Sequence, residues 1–419
     1  MSALQQVLTE RERKIVELAD RLAREFGERA AEHDREGSFP FENYARLREE
    51  GYLGLTVPEE LGGMGASLRE LMLAQERLAT GCGSTALAST MHVSPLGQLA
   101  ALWRRSHDAG LERFLRECAA GEIIYASMTA ERGHSILLTS NTIAQPVDGG
   151  YRVSGDKIFA TESSICTNFT CMARVDEGEG GPRVIFFRMR RDDPGMTVKE
   201  TWDTMGMRAT QSNDYTLRDV FVPAQDVFHS YPVGHFDALM VKTVWGWAMP
   251  CFGAVYLGIA AGAMEWTRET ILKRGRQDSP QIQRLFAEME VSLETARAVL
   301  YRHAAEMEDD RLVAELPVQE AMAHCVLAKY VATNSAIAIV DRAIEAAGGM
   351  AYYKRAPLER MYRDVRAGPI MPFNNLEAMD LFGRNSLGIE VAPSIPLSES
   401  GHDSRPKYSE AAETSGRIA

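Results

Sequence analysis

The periodicity of this chain changes twice, and that limits its architecture more than any other feature. Up to about Glu122, and again beyond Pro223, apolar residues recur three and four positions apart. Between these points lie short runs rich in Val, Ile, Phe, Tyr and Thr, separated by Gly-rich turns. The spacing predicts helices over residues 11–24, 44–50, 68–79 and from 84 towards 103, then strands at 123–128, 139–145, 151–154, 168–175, 183–187 and 215–222. Asp148-Gly149-Gly150 separates two of these runs and reads as a hairpin turn. Long helices return at 251–272, 285–307 and 318–347. Helices, then strands, then helices point to an α + β chain. The expected domains are a helical one at residues 1–122, a β domain at 123–225 and a helical bundle at 226–388. A disordered tail at 389–419, rich in Ser, Pro and charge, follows.

At 419 residues the chain is too long for one ordinary core. Its 46 Lys and Arg against 58 Asp and Glu argue against nucleic acid as a partner. No run approaches the ~18–20 uninterrupted apolar residues of a membrane helix, so no membrane insertion is expected. The charged, helix-forming start and six scattered cysteines without a Cys-x-x-Cys pair fit a cytoplasmic protein with buried, inert thiols. Residues 251–272 are apolar nearly all round, which predicts burial inside a bundle or between the subunits of a homodimer or homotetramer.

Five segments, in order, carry a resemblance. They are Gly51-Tyr52-Leu53-Gly54-Leu55-Thr56-Val57-Pro58-Glu59-Glu60-Leu61-Gly62-Gly63, Thr129-Ala130-Glu131-Arg132-Gly133-His134-Ser135 and Tyr151-Arg152-Val153-Ser154-Gly155-Asp156-Lys157-Ile158-Phe159-Ala160-Thr161. Met205-Gly206-Met207-Arg208 with Asp219-Val220-Phe221-Val222-Pro223 is the fourth, and Glu345 to Tyr352 with Arg355 to Asp364 is the fifth. On these the chain resembles the FAD-dependent acyl-CoA dehydrogenase superfamily over residues ~10–388. The resemblance implies a helical N-terminal domain, a β-barrel or sandwich in the middle and a C-terminal four-helix bundle. It implies bound FAD, with Met128, Thr129 and Ser135 along the flavin and its pyrophosphate. Phe159 and Thr161 would pack on and hydrogen-bond the ring, while Gly348 and Gly349 would let the backbone approach a neighbouring subunit's FAD.

The departures matter as much. The Glu that removes the substrate's Cα proton in the family falls here on Pro372, and the alternative position on the long buried helix falls near Ala248. Both lack a carboxylate. Glu377 and Asp380, one to two turns beyond Pro372, are the remaining carboxylate candidates. The family's pyrophosphate-reaching Arg element is shortened, leaving Arg274 or Arg276 for a phosphate. Three readings follow: an acyl thioester dehydrogenase with a relocated base, acting on acyl-CoA or an acyl-carrier protein with an electron-transfer partner; a flavin monooxygenase served by a flavin reductase, with His92 as proton donor; or a base-less subunit of a heteromer.

Overall fold

The computed structural model describes residues 7–133, 138–176, 181–309 and 315–396. The chain forms two compact units. Among the described residues, the helical unit takes in those up to Ile124, Trp202–Gln211 and Val241–Val391, and the β unit Tyr125–Thr201, Ser212–Met240 and 392–396.

The helices are α1 (Glu10–Glu36), α2 (Phe41–Glu49), α3 (Leu68–Ala79), α4 (Gly83–Ser106) and α5 (Ala109–Ala119), then α6 (Gly246–Lys273), α7 (Pro280–Glu308), α8 (Val318–Ala347), α9 (Pro357–Asp364) and α10 (Asn375–Ser386). Helices α1 and α3 begin in capping boxes, Thr9 with Glu12 and Ser67 with Glu70. Residues 249–264 of α6 are buried without a gap, because α3, α4, α7 and α8 pack around the helix. Its all-round apolarity is therefore accounted for inside the chain, and α6 gives no support to a subunit contact. Met240–Lys273 and Val318–Tyr352 are long and apolar enough to cross a membrane, but 89% and 56% of their most apolar windows are buried in this unit. They read as core helices.

Helix α6 approaches α3 at Gly258, where a Cβ would lie 2.0 Å from the Glu76 carbonyl oxygen. Gly258→Ala must push the two helices apart and is expected to cost about 1–3 kcal/mol, read as a lowered urea midpoint. Pro250 inside α6 has no N–H, so the Gly246 carbonyl lacks its helical donor. The His303 ring approaches it with Nε2 at 3.0 Å. Burial pushes the pKa of His303 down to about 4, so the ring is neutral and its Nε2–H donates to this carbonyl.

In the β unit a sheet runs β6-β7-β3-β2-β4-β5-β8, with β1 paired to β4. The strands are β1 (Tyr125–Met128), β2 (Ile143–Val147), β3 (Gly150–Ala160), β4 (Asn168–Val175), β5 (Arg183–Arg190), β6 (Met196–Lys199), β7 (Asn213–Pro223) and β8 (Val227–Pro232). The Asp148-Gly149 turn joins β2 to β3 with Val147 opposite Gly150, as the hairpin signal predicts. Two sequence boundaries move. Strand β8 pairs with β5, so the sheet extends past residue 225. Ser394–Ile395 (β10) pairs with Phe236–Asp237 (β9), so the segment after Gly388 is not wholly without structure. Trp202–Gln211, read as β-domain sequence, belongs to the helical unit. There Asp364 accepts the Met207 N–H at 2.6 Å, and Arg363 donates to the Met205 carbonyl at 2.9 Å. Periodicity cannot report contacts across such sequence separations.

Candidate functional site

In the β unit, β1 ends at the fully buried Met128, and half-buried Thr129 follows it. Strand β3 pairs with β7, with one register shift between Val153 and Gly155, and stays in register from there to Lys157, opposite Tyr215. The register then shifts and resumes with Ala160 opposite Asn213. Within this bulge Phe159 has φ 57°, a left-handed conformation that costs a non-glycine residue of order 1–3 kcal/mol, and the residue is 55% exposed. Ile158 N–H donates to the Ala130 carbonyl at 3.0 Å, tying the bulge to the segment after β1. An exposed aromatic face beside the backbone of residues 128–130 fits a planar apolar ring with a polar edge. Thr161 is arranged otherwise: it is buried, and its hydroxyl pairs with Ser212 at 2.8 Å. Ser135 lies outside the described residues.

Sequence reasoning missed what lies under the bulge. The Lys157 side chain is fully buried and ion-paired with Glu131, whose side chain is 5% exposed. Glu131 also accepts from the Ser140 hydroxyl at 2.7 Å, the Thr142 hydroxyl at 2.7 Å and the Thr142 N–H at 3.1 Å. Lys157 donates in addition to the Met172 carbonyl at 2.7 Å. Burial raises the Glu131 pKa, but the Lys157 ammonium and the hydroxyl donors outweigh it and hold the carboxyl below its usual range.

In the helical unit, Arg274 follows the end of α6 and is exposed. Gly348 caps α8 with φ 69°, which explains its glycine. Gly349 is different: a Cβ there would meet nothing within 4 Å, so the chain's own packing does not demand glycine. His92 lies fully buried in α4.

Pro372 sits in a fastened segment. The Lys329 ammonium, fully buried in α8, donates to the carbonyls of Met371 and Phe373 at 2.8 Å each. The Tyr256 hydroxyl donates to Met371 Sδ at 3.1 Å, and the Phe373 ring meets Trp245 edge-on with centroids 5.1 Å apart. Burial lowers the Lys329 pKa to about 7, with Glu377 opposing the shift. The sequence did carry a signal for Lys329, a single cation in the apolar stretch Cys325-Val326-Leu327-Ala328-Lys329-Tyr330-Val331. Neither suggested carboxylate is available beside Pro372. Glu377 accepts the Asn374 N–H at 3.2 Å in the capping box of α10, and exposed Asp380 pairs with Arg384 at 3.1 Å. The thiols are all buried; burial pushes those of Cys171 and Cys325 up to about 11 and about 12, which fits inert side chains.

Sequence models of the acyl-CoA dehydrogenase N-terminal, middle and C-terminal domains match residues 9–122, 126–220 and 250–375. Bacillus subtilis (strain 168) YdbM, whose name assigns it provisionally to the acyl-CoA dehydrogenases, is 32% identical over 86% of this chain and 93% of its own length. The amino sugar nitrososynthase DnmZ of Streptomyces peucetius is 31% identical over 90% of this chain and 93% of its own. The solved structure of KijD3 with FMN and dTDP-3-amino-2,3,6-trideoxy-4-keto-3-methyl-D-glucose superposes with a TM-score of 0.82 at 31% identity, covering 93% of this chain and 97% of that one. Three consecutive domain matches and relatives of this extent establish the family: the chain belongs to the flavin-dependent acyl-CoA dehydrogenase superfamily.

Proposed function

We propose that this protein is a flavin-dependent monooxygenase on the acyl-CoA dehydrogenase fold, with FAD as cofactor and a separate flavin reductase as electron source. One observation carries the reading. The family's base position holds Pro372, its flanking carbonyls are engaged by Lys329, and Glu377 and Asp380 are committed to a helix cap and an ion pair. Removing a proton beside a thioester requires a positioned base, whereas oxygen insertion does not. The similarity to DnmZ and KijD3 supports the same choice. The bound flavin would take up electrons and, once reduced, activate oxygen.

The chain's own residues have distinct tasks in this reading. Phe159 stacks on the flavin ring, and the backbone at Met128 and Thr129 meets its polar edge. Arg274 holds a phosphate, and bare Gly349 admits the adenine half of a neighbouring subunit's FAD. His92, shielded from water, holds the proton to be delivered. A homodimer or homotetramer fits the apolar side chains left bare in the helical unit: Tyr352 is 92% exposed, Leu376 85% and Leu387 76%.

With FAD, NADH, a flavin reductase and dTDP-linked amino sugars as first probes, oxygen uptake coupled to product is expected. His92→Gln should lower product formed per NADH at least about tenfold while peroxide release rises. Rapid anaerobic bleaching of the flavin by butyryl- or octanoyl-CoA would overturn the reading. It would instead support acyl thioester dehydrogenation with acyl-CoA or acyl-carrier protein and an electron-transfer partner, the reading that the similarity to YdbM favours.

A further inference from the structure

We infer that the buried Lys157–Glu131 pair is a positioning element for the flavin ring: it holds the bulge that turns Phe159 out of the sheet. The inference rests on the proposed role of Phe159 as the stacking face.

Alternation makes the first argument. In a regular strand residues 157 and 159 point to the same face. Here Lys157 is fully buried while Phe159 is 55% exposed, so across the bulge residue 159 departs from the burial that alternation would give it. That departure goes with φ 57° at Phe159, and φ 66° recurs at the buried Glu162 three residues on. Such strain persists only where the surroundings over-determine the backbone. Lys157 is the last residue in register before the shift, and its side chain is fixed at both Glu131 and the Met172 carbonyl.

Glu131 supplies the second argument. It lies two residues beyond Thr129 and next to Ala130, whose carbonyl takes the Ile158 N–H. The pair therefore joins the two segments that form the proposed platform, 128–131 and 157–161. A buried ion pair is a poor device for stability alone, since desolvation offsets its attraction. A fully satisfied one fixes a unique local geometry.

The test titrates flavin-stripped protein with FAD, following flavin fluorescence, and records the visible spectrum of the bound form. Phe159→Ala measures the platform itself. Lys157→Met with Glu131→Gln removes both charges and keeps approximate shape. Each is expected to raise the FAD Kd at least tenfold, and the double variant should lose the fine structure of the bound-flavin band with an unchanged far-ultraviolet spectrum. A double variant that folds and binds within twofold of wild type, while Phe159→Ala binds weakly, overturns the inference and leaves the platform standing. Binding within twofold by Phe159→Ala overturns both. If the double variant does not fold, Lys157→Arg replaces it: the displaced donor should weaken FAD at least fivefold, and wild-type affinity overturns the inference.

Discussion

Lys329→Met is expected to remove a contribution that raises stability between pH 7 and 8.5. Burial lowers the Lys329 pKa to about 7 in the folded protein, whereas the unfolded chain keeps a lysine near its ordinary ~10.4. Between these values the unfolded state binds more protons, so stability increases with pH, by up to about 1.4 kcal/mol per unit. Over this window the group contributes on the order of 2 kcal/mol. His303, lowered to about 4, adds stability only as pH rises towards ~6.5. Asp364, raised to about 6 by burial, gives stability at low pH that is lost by pH 6. Neither reaches the window, and the buried phenols act above it; the buried thiols, which titrate near ~8.5 when unfolded, lower stability towards its upper end, equally in wild type and in Lys329→Met. The change in urea midpoint from pH 7.0 to 8.5 should therefore be more positive for wild type than for Lys329→Met. Equal pH slopes in the two proteins would show that Lys329 stays protonated when folded.

Pro372→Glu decides between the two chemistries. A positioned general base contributes about 10²–10⁴-fold. If a missing carboxylate were the only defect, the variant would turn on anaerobic bleaching by butyryl-, octanoyl- or palmitoyl-CoA by at least about a hundredfold. The monooxygenase reading expects no bleaching by any of them in a folded, FAD-loaded variant. Bleaching on the timescale of minutes would restore acyl thioester dehydrogenation as the native chemistry. The assay needs no knowledge of the natural substrate.

The motifs behind the proposed flavin face were legible in the sequence. Thr129, Phe159 and Gly348-Gly349 stand in recognisable motifs because local spacing places them at a strand end, on a strand and at a helix cap. Their surroundings differ from what the motifs imply. Phe159 is presented by a strained bulge, and Thr161 turns its hydroxyl to Ser212. That no carboxylate stands at position 372 was equally legible, since it needed only the identity of Pro372. That Glu377 and Asp380 cannot replace it was not, because a carboxylate's availability depends on which donors fold against it.

The sequence by itself determined the order of helices, strands and helices, the β2–β3 hairpin and the family, all consequences of periodicity and short-range spacing. Only the tertiary structure decided that α6 is enclosed by helices of its own chain, that Trp202–Gln211 joins the helical unit, and that the sheet extends through β8. It also decided the partners of the two buried lysines: Lys157 meets Glu131 across 26 residues, and Lys329 meets the Met371 and Phe373 carbonyls across 42 and 44. A buried charge is tolerated only where distant donors and acceptors converge on it, and that convergence is a property of the packed chain.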